Sequence, residues 1–347
     1  MDKIDIKSMT KQELEECVTA CLGEKKFRAG QIYDWLHVRL VDDFSQMTNL
    51  SLALREKLDQ NCRITSLKIV RKLVSGIDGT VKYLFELPDR RVIESVLMYY
   101  HHGPSVCISS QVGCRMGCRF CASTLGGLER QMQVSEMLDE VYAIQKDCGK
   151  RISSLVIMGT GEPLDNFDNV VTMIRMLSGK DGLNLSQRNI TLSTCGLVPK
   201  IYELADLDLS ITLALSLHAP NDEKRRQLMP IANTYSIDQI LQACRYYIEK
   251  TGRRVTFEYS LVQGENDSLE DARELAGRLA GLNCHINLIP VNPIEERNYR
   301  QSERAAVERF KNVLEKCGRN VTIRREMGRD IQAACGQLRK RYLKGDR

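Results

Sequence analysis

The run Gln111-Val112-Gly113-Cys114-Arg115-Met116-Gly117-Cys118-Arg119-Phe120-Cys121 places three cysteines in one short loop, four and then three residues apart. Three thiolates can hold three irons of a 4Fe–4S cluster and leave the fourth iron open to another ligand. A structural zinc site asks for four closed ligands, commonly in separated pairs, and the usual all-cysteine cluster also takes four thiolates. The next cysteine, Cys148, falls at the end of a predicted helix and not at ligand spacing. The plainer alternative is a set of buried or zinc-binding cysteines.

Downstream the chain alternates strand, polar loop and helix. Strands are predicted over 106–109, 154–158, 189–193, 211–217, 255–262, 285–289 and 321–324, and helices over 135–147, 170–177, 200–205, 237–249, 269–279 and 304–316. This alternation predicts a parallel sheet with crossover helices. Six or seven units fall short of a closed eight-unit barrel, so the expected fold is α/β, a partial (β/α)6 barrel. Parallel strands deliver their following loops to one rim, where such barrels assemble sites. Those loops are pointed: Gly159-Thr160-Gly161-Glu162-Pro163, Ser193-Thr194-Cys195-Gly196, Ser216-Leu217-His218, Gln263-Gly264-Glu265-Asn266-Asp267 and Pro290-Val291-Asn292-Pro293. Alone, each is ordinary. Glu162 after a glycine could accept from an ammonium group, and Gly161 permits close backbone approach. Ser193, Ser216 and Asn292 are plain hydrogen-bonders, and His218 reads as a satisfied core histidine. Sharing a rim with the cysteine loop makes them candidates.

Upstream, Thr10 and Glu13 form a capping box. Residues 27–36 carry apolar side chains at helical spacing, and 52–58 make a third helix. Leu67, Ile69 and Leu73, then Val81, Tyr83 and Phe85, alternate about Asp78-Gly79, a hairpin dipeptide. Pro88-Asp89 marks a second turn, and residues 91–100 a third strand. The expected organisation is a helical accessory domain over 1–65, a small β extension over 66–100, and a core over 101–347. Glu94 reads by default as an exposed-face carboxylate; buried, it would have a raised pKa suited to proton transfer.

No apolar stretch of the 347 residues approaches the ~20 residues of a membrane span. Thirteen cysteines, with no signal-peptide pattern at the N-terminus, predict reduced thiols and a cytoplasmic protein. Net charge is +5, with clusters at Lys224-Arg225-Arg226, Arg253-Arg254, Arg324-Arg325 with Arg329, and Arg339-Lys340-Arg341. Such clusters suit phosphates, or are merely solvated turns and helix ends. One tryptophan and seven phenylalanines provide no evident stacking platform for single strands. By composition alone Cys107 and Cys335 are inert buried thiols.

The Cys114, Cys118, Cys121 spacing, with Phe120 before the last thiol, resembles the radical S-adenosylmethionine (SAM) enzymes. Within them the chain resembles the RlmN family in Phe27-Arg28-Ala29-Gly30-Gln31-Ile32-Tyr33-Asp34-Trp35-Leu36, residues 107–114, Phe120-Cys121-Ala122-Ser123-Thr124, Gly161-Glu162-Pro163-Leu164 and Ala333-Ala334-Cys335-Gly336-Gln337-Leu338. The resemblance runs from about residue 25 to the C-terminus. It implies a methyltransferase acting on carbon 2 of an adenosine in 23S rRNA and in tRNA, with an RNA-binding N-terminal domain. It further implies one 4Fe–4S cluster on Cys114, Cys118 and Cys121, and SAM contacts from Gly161, Glu162, Ser193, Ser216, Leu217, His218 and Asn292. Cys335 would carry the methyl group, Cys107 would resolve the intermediate, and Glu94 would accept a proton. A flavodoxin or ferredoxin as electron donor and a monomeric state are expected with it. Two SAM molecules per turnover follow, one methylating Cys335 and one supplying a radical, because the adenine carbon is electrophilic and cannot take a methyl cation. Thr160, where methionine is more usual, and the extra thiol of Cys195 depart from the family pattern. The rival readings are the sister carbon-8 adenine methyltransferase and a non-catalytic Fe–S RNA-binding module.

Overall fold

The computed structural model describes residues 3–338; the basic run Arg339-Lys340-Arg341 lies outside them. Its N-terminal unit comprises β1 (Ile4–Asp5), α1 (Lys11–Ala20), α2 (Phe27–His37), α3 (Leu52–Asn61) and β2 (Cys62–Arg63). Thr10 and Glu13 close the capping box at the head of α1, satisfying N–H groups that a helix start leaves unpaired. Then β3 (Lys68–Val74), β4 (Val81–Glu86) and β5 (Val92–Tyr100) run antiparallel. Between β3 and β4, Gly79 takes a φ of +74°, which the turn needs and glycine adopts without strain.

The barrel begins at β6 (Gly103–Ile108). A short hairpin, β7 (Gln111–Gly113) and β8 (Leu128–Gln131), brackets the cysteine loop, and α4 (Val134–Cys148) follows. The winding continues through β9 (Ser154–Ile157), α5 (Phe167–Ser178), β10 (Ile190–Thr194), α6 (Val198–Ala205) and β11 (Thr212–Ser216). It ends with α7 (Asp222–Leu228), α8 (Ile237–Thr251), β12 (Val255–Leu261), α9 (Leu269–Arg278), β13 (Cys284–Pro290), α10 (Arg304–Lys316) and β14 (Val321–Ile323). From β6 to β14 the neighbours pair in parallel, and the predicted partial barrel is observed, with β14 as its edge. Leu213, Ala214 and Leu215 in β11 are all buried, as expected where a parallel strand is covered on both faces.

The strands over 68–100 continue the barrel sheet: β5 pairs with β6, so one sheet of ten strands runs from β14 to β3. The helix α4 is buried along most of its length. The N-terminal unit packs on its polar side, where Lys7 Nζ meets Asp139 Oδ1 at 2.6 Å and His37 Nδ1 meets the Tyr142 hydroxyl at 3.0 Å. Asp139 also accepts from the Leu67 N–H at 2.6 Å. Removing one partner of such a buried pair leaves an uncompensated charge, so the helical unit is firmly seated.

After β14 the chain turns back as a strap over 327–338, lying on the sheet face that carries Glu94, Val96, Met98 and Cys107. Met327, Ala333 and Leu338 pack with Val96, Met98 and Cys107 in an apolar cluster of their own. Polar bonds pin the strap at both ends. Asp330 accepts from Ser75 Oγ at 2.7 Å and from the Gly76 N–H at 2.9 Å, and Asp78 accepts from the Gly328 N–H at 2.9 Å. At the far end the Ala122 N–H donates to the Gly336 carbonyl at 2.8 Å and Ser123 Oγ to the Leu338 carbonyl at 3.0 Å. The strap thus joins the β3–β4 turn to the cysteine loop.

Gly328 has a φ of +63°, and a Cβ there would lie 2.7 Å from Ala333 Cβ and 2.9 Å from Thr80 Cγ2. Gly328→Val should therefore loosen the strap at a cost of about 1–3 kcal/mol. Limited proteolysis should cut faster within 324–338 while far-UV circular dichroism stays unchanged; unaltered protease sensitivity would contradict the pinning.

Candidate active site

A single cavity with about 930 Å³ of empty space lies at the rim of the barrel. Cys114, Cys118, Cys121, Gly161, Glu162, Ser193, Ser216, His218, Asn292 and Cys335 all line it, so the loops come together as the sequence led us to expect. Three of the expected residues do not line it. Leu217 is a core side chain whose N–H donates to the Glu258 carbonyl at 3.1 Å and whose carbonyl accepts from Arg225 Nε at 3.1 Å. Cys107 and Glu94 sit beneath the strap.

Burial governs the thiols. It pushes Cys114 up to about 12 and raises Cys118 and Cys121, each helped by the neighbouring thiols. Without a cation these are neutral thiols; a bound metal reverses that balance, since a coordinating thiol is deprotonated. Among the described residues no three thiols, imidazoles or carboxylates meet closely enough to hold a single metal ion. Three thiols lining one cavity are the donor type that holds iron–sulfur clusters. The structure also brings Cys195 into this cavity, where burial, then Glu162 and Cys118, raise its thiol. Its place at the rim is where the loop 193–196 was expected. It arrives from β10, far along the chain.

The rim loops are rigid. Glu162 is buried, accepts from the Leu164 N–H at 3.0 Å and from the Cys195 N–H at 2.7 Å, and burial raises its carboxyl. Gly161 has a φ of +114°, and a Cβ there would meet Gln111 Cβ at 2.7 Å, so glycine is required by packing as well as by the turn. Ser193 Oγ and Ser216 Oγ stand 3.5 Å apart. His218 takes a φ of 57°, accepts at Nδ1 from the Ser260 N–H at 2.9 Å, and accepts at its carbonyl from Asn266 Nδ2 at 2.7 Å. Phe120 packs edge-on to its ring with centroids 5.0 Å apart. Burial, then Arg225, lowers the imidazole to about 3, so it is neutral with its proton on Nε2.

Cys335 faces the cavity from the strap, and Asn292 Nδ2 donates to its carbonyl at 3.0 Å. Cys107 lies beneath, fully buried; burial, then Cys335, pushes its thiol up to about 12. Glu94 is only 2% exposed and meets Lys82 Nζ at 3.1 Å, which corrects the exposed-face reading: the strap covers that face. It opens on a neighbouring cavity shared with Gly113, Glu129 and Leu338, and Ser123 lines both cavities. The sequence reading missed Lys82. Its signal was a lysine on an otherwise apolar strand, diagonally across the hairpin from Glu94.

The basic clusters also change meaning. Arg225 is wholly buried and donates to the carbonyls of Leu217, Cys195 and Ser216 at 3.1, 2.7 and 3.3 Å, tying two rim loops together. Arg253 Nε donates to the Ile211 carbonyl at 2.7 Å. Arg324 lines the cavity beside Cys335. Arg225 is therefore no solvated phosphate contact.

Two family models match, that of the Radical SAM superfamily over residues 108–276 and that of the ribosomal RNA large subunit methyltransferase N-terminal domain over residues 4–64. The chain is 62% identical over 341 residues to the probable dual-specificity RNA methyltransferase RlmN of Lachnoclostridium phytofermentans, covering 98% of this chain and 96% of that protein. It belongs to the RlmN family. The corresponding protein of Lachnospira eligens is likewise 62% identical, over 98% of this chain and 97% of its own length. The crystal structure of a radical SAM methyltransferase from Sphaerobacter thermophilus matches with a TM-score of 0.93 at 42% identity, covering 97% of this chain and 99% of that one. The RlmN family assignment therefore covers the N-terminal unit, the barrel and the strap together.

His218 and His37 both titrate near 3 in the folded chain because burial disfavours their charge. The unfolded chain thus binds more protons, and stability is full above an ordinary value of 6.5 and lost as pH falls toward 3. Urea unfolding should show up to about 1.4 kcal/mol lost per pH unit per imidazole. His37→Gln should make that slope shallower by one imidazole; equal slopes would contradict a buried neutral His37.

Proposed function

We propose that this RlmN-family chain is a radical SAM methyltransferase that methylates carbon 2 of an adenosine in 23S rRNA, in the peptidyl-transferase region, and of the adenosine next to the anticodon in tRNA, using two SAM per turnover. The observation that carries this reading is the pairing of two thiols outside the cysteine loop: the strap sets Cys335 at the cavity, over Cys107 on β6. The dual-specificity RNA methyltransferase names of the relatives support the substrate class.

Cys114, Cys118 and Cys121 would hold a 4Fe–4S cluster, and Gly161, Glu162, Ser193, Ser216, His218 and Asn292 would contact SAM, with Leu217 as the spacer that aims its neighbours. When bound, the cluster and SAM supply the methyl group and the radical chemistry. The chain's own residues do the rest. Cys335 takes up the methyl group and presents its carbon to adenine, so the RNA becomes covalently attached. Glu94, 3.1 Å from Lys82 Nζ, accepts the proton lost as the ring regains aromaticity. Cys107 then attacks the Cys335 sulfur and frees the product as a disulfide forms. A cytoplasmic, monomeric enzyme served by a flavodoxin- or ferredoxin-type donor accords with this chemistry, and among the described residues no helix is long and apolar enough to cross a membrane.

Anaerobic reconstitution should load about four irons per chain, and replacing Cys114, Cys118 and Cys121 with alanine should abolish it. Cys107→Ala should accumulate a covalent protein–RNA species that vanishes in the Cys107→Ala, Cys335→Ala double variant. The nucleoside formed by the parent enzyme should be 2-methyladenosine. A Cys107→Ala enzyme that turns over normally would overturn the reading, and 8-methyladenosine as product would place the chain with the carbon-8 enzymes.

A further inference from the structure

The attack on the Cys335 sulfur requires a thiolate at Cys107, and the fold makes that thiolate costly. Cys107 is enclosed by Val96, Met98, Ala333 and Leu338. The titratable groups acting on it are Cys335 from the strap, Glu140 from α4 and Arg324 from the end of β14, with Tyr100 of β5 and Arg325 beyond them; Glu94 and Lys82 lie farther along the same covered face, and Met158 packs against the same cluster. Arg324 is the cation among the groups acting on Cys107.

The placement of Arg324 is built. Its N–H donates to the Leu288 carbonyl at 2.8 Å, prolonging the β13–β14 ladder. Its guanidinium enters the main cavity and also lines a smaller one shared with Met98, Tyr100, Asn292 and Cys335. Nη1 lies 3.5 Å from Met158 Sδ and 3.9 Å from Glu258 Oε2. Glu258 is itself buried and oriented by Asn287 Nδ2 at 2.8 Å. An arginine suits this place because it keeps its charge when buried and offers five donors in a fixed plane.

We propose that Arg324 is a positioning residue for product release: aimed by Glu258, it stabilises the charge that builds on Cys107 as this sulfur attacks Cys335. The inference rests on the methyl-carrier reading above. In that step the Cys107–Cys335 sulfur bond forms and the bond from the Cys335 sulfur to the methylene carbon breaks. The electron pair of the broken bond goes to that carbon, which gains the proton Cys107 has lost and becomes the product methyl. The two sulfurs are oxidised by two electrons and the carbon is reduced by two, so no outside reductant enters.

The test uses the full chain with its cluster and SAM. The rate of Cys107 alkylation by iodoacetamide near pH 8, read by peptide mass, should fall about tenfold in Arg324→Gln, a tenfold loss of reactive thiolate. Arg324→Lys should restore most of that rate, and Arg324→Met stands in should the glutamine variant not fold. Arg324→Gln should also accumulate protein–RNA adduct that decays faster as pH rises. An unchanged Cys107 alkylation rate with normal adduct decay would overturn the role of Arg324. A parent enzyme whose Cys335 is never methylated, with no adduct in Cys107→Ala, would instead overturn the carrier reading on which it rests.

Discussion

Asp330 gripping Ser75 Oγ and the Gly76 N–H is the contact on which the rest of the site depends. Together with Asp78 on the Gly328 N–H, it fixes the start of the C-terminal strap to the β3–β4 turn. The far end is fixed by Ala122 and Ser123, immediately after the last cysteine of the loop. A segment of about a dozen residues so held has little freedom to lose when a substrate arrives, and ordering costs of that kind weigh heavily on affinity and rate. The antiparallel strands added to the barrel edge are therefore working parts. They provide the turn that anchors the strap and the face on which it lies.

Covering that face changes the chemistry of everything on it. Glu94 becomes a buried carboxylate tied to Lys82, Cys107 becomes a thiol pushed up by burial, and Cys335 is brought close to Cys107. The lysine links the two halves of the arrangement, since Lys82 Nζ also donates to the Gln332 carbonyl of the strap at 3.2 Å. At the rim the same physics acts on Cys114, Cys118, Cys121 and Cys195, all held as neutral thiols by burial. A site built in this way favours a group that brings its own positive charge.

Much of this was legible in the chain. The barrel strands and helices were readable because each parallel strand is a short apolar run followed by a polar loop, and strand alternates with helix along the chain. The rim residues followed from topology, because parallel strands leave their loops on one side. What local pattern could not convey was which polar residues face inward. Arg225 and Arg324 sit in runs of basic residues that look solvated, yet long-range contacts with rim carbonyls and with Glu258 draw them inside. Glu94 alternates as an outward residue until the strap, more than 230 positions later, covers its strand. Tertiary cover is not written in period or propensity.

The central claim is that the methyl group passes through Cys335 and does not go directly from SAM to RNA. A time course over the first turnovers addresses it most directly: enzyme isolated with its own unlabelled methyl groups is given RNA and SAM bearing a deuterated methyl. Transfer through Cys335 predicts that the first product molecules carry an unlabelled methyl, with label appearing only in later turnovers. Label in the first methylated adenosine would contradict the account.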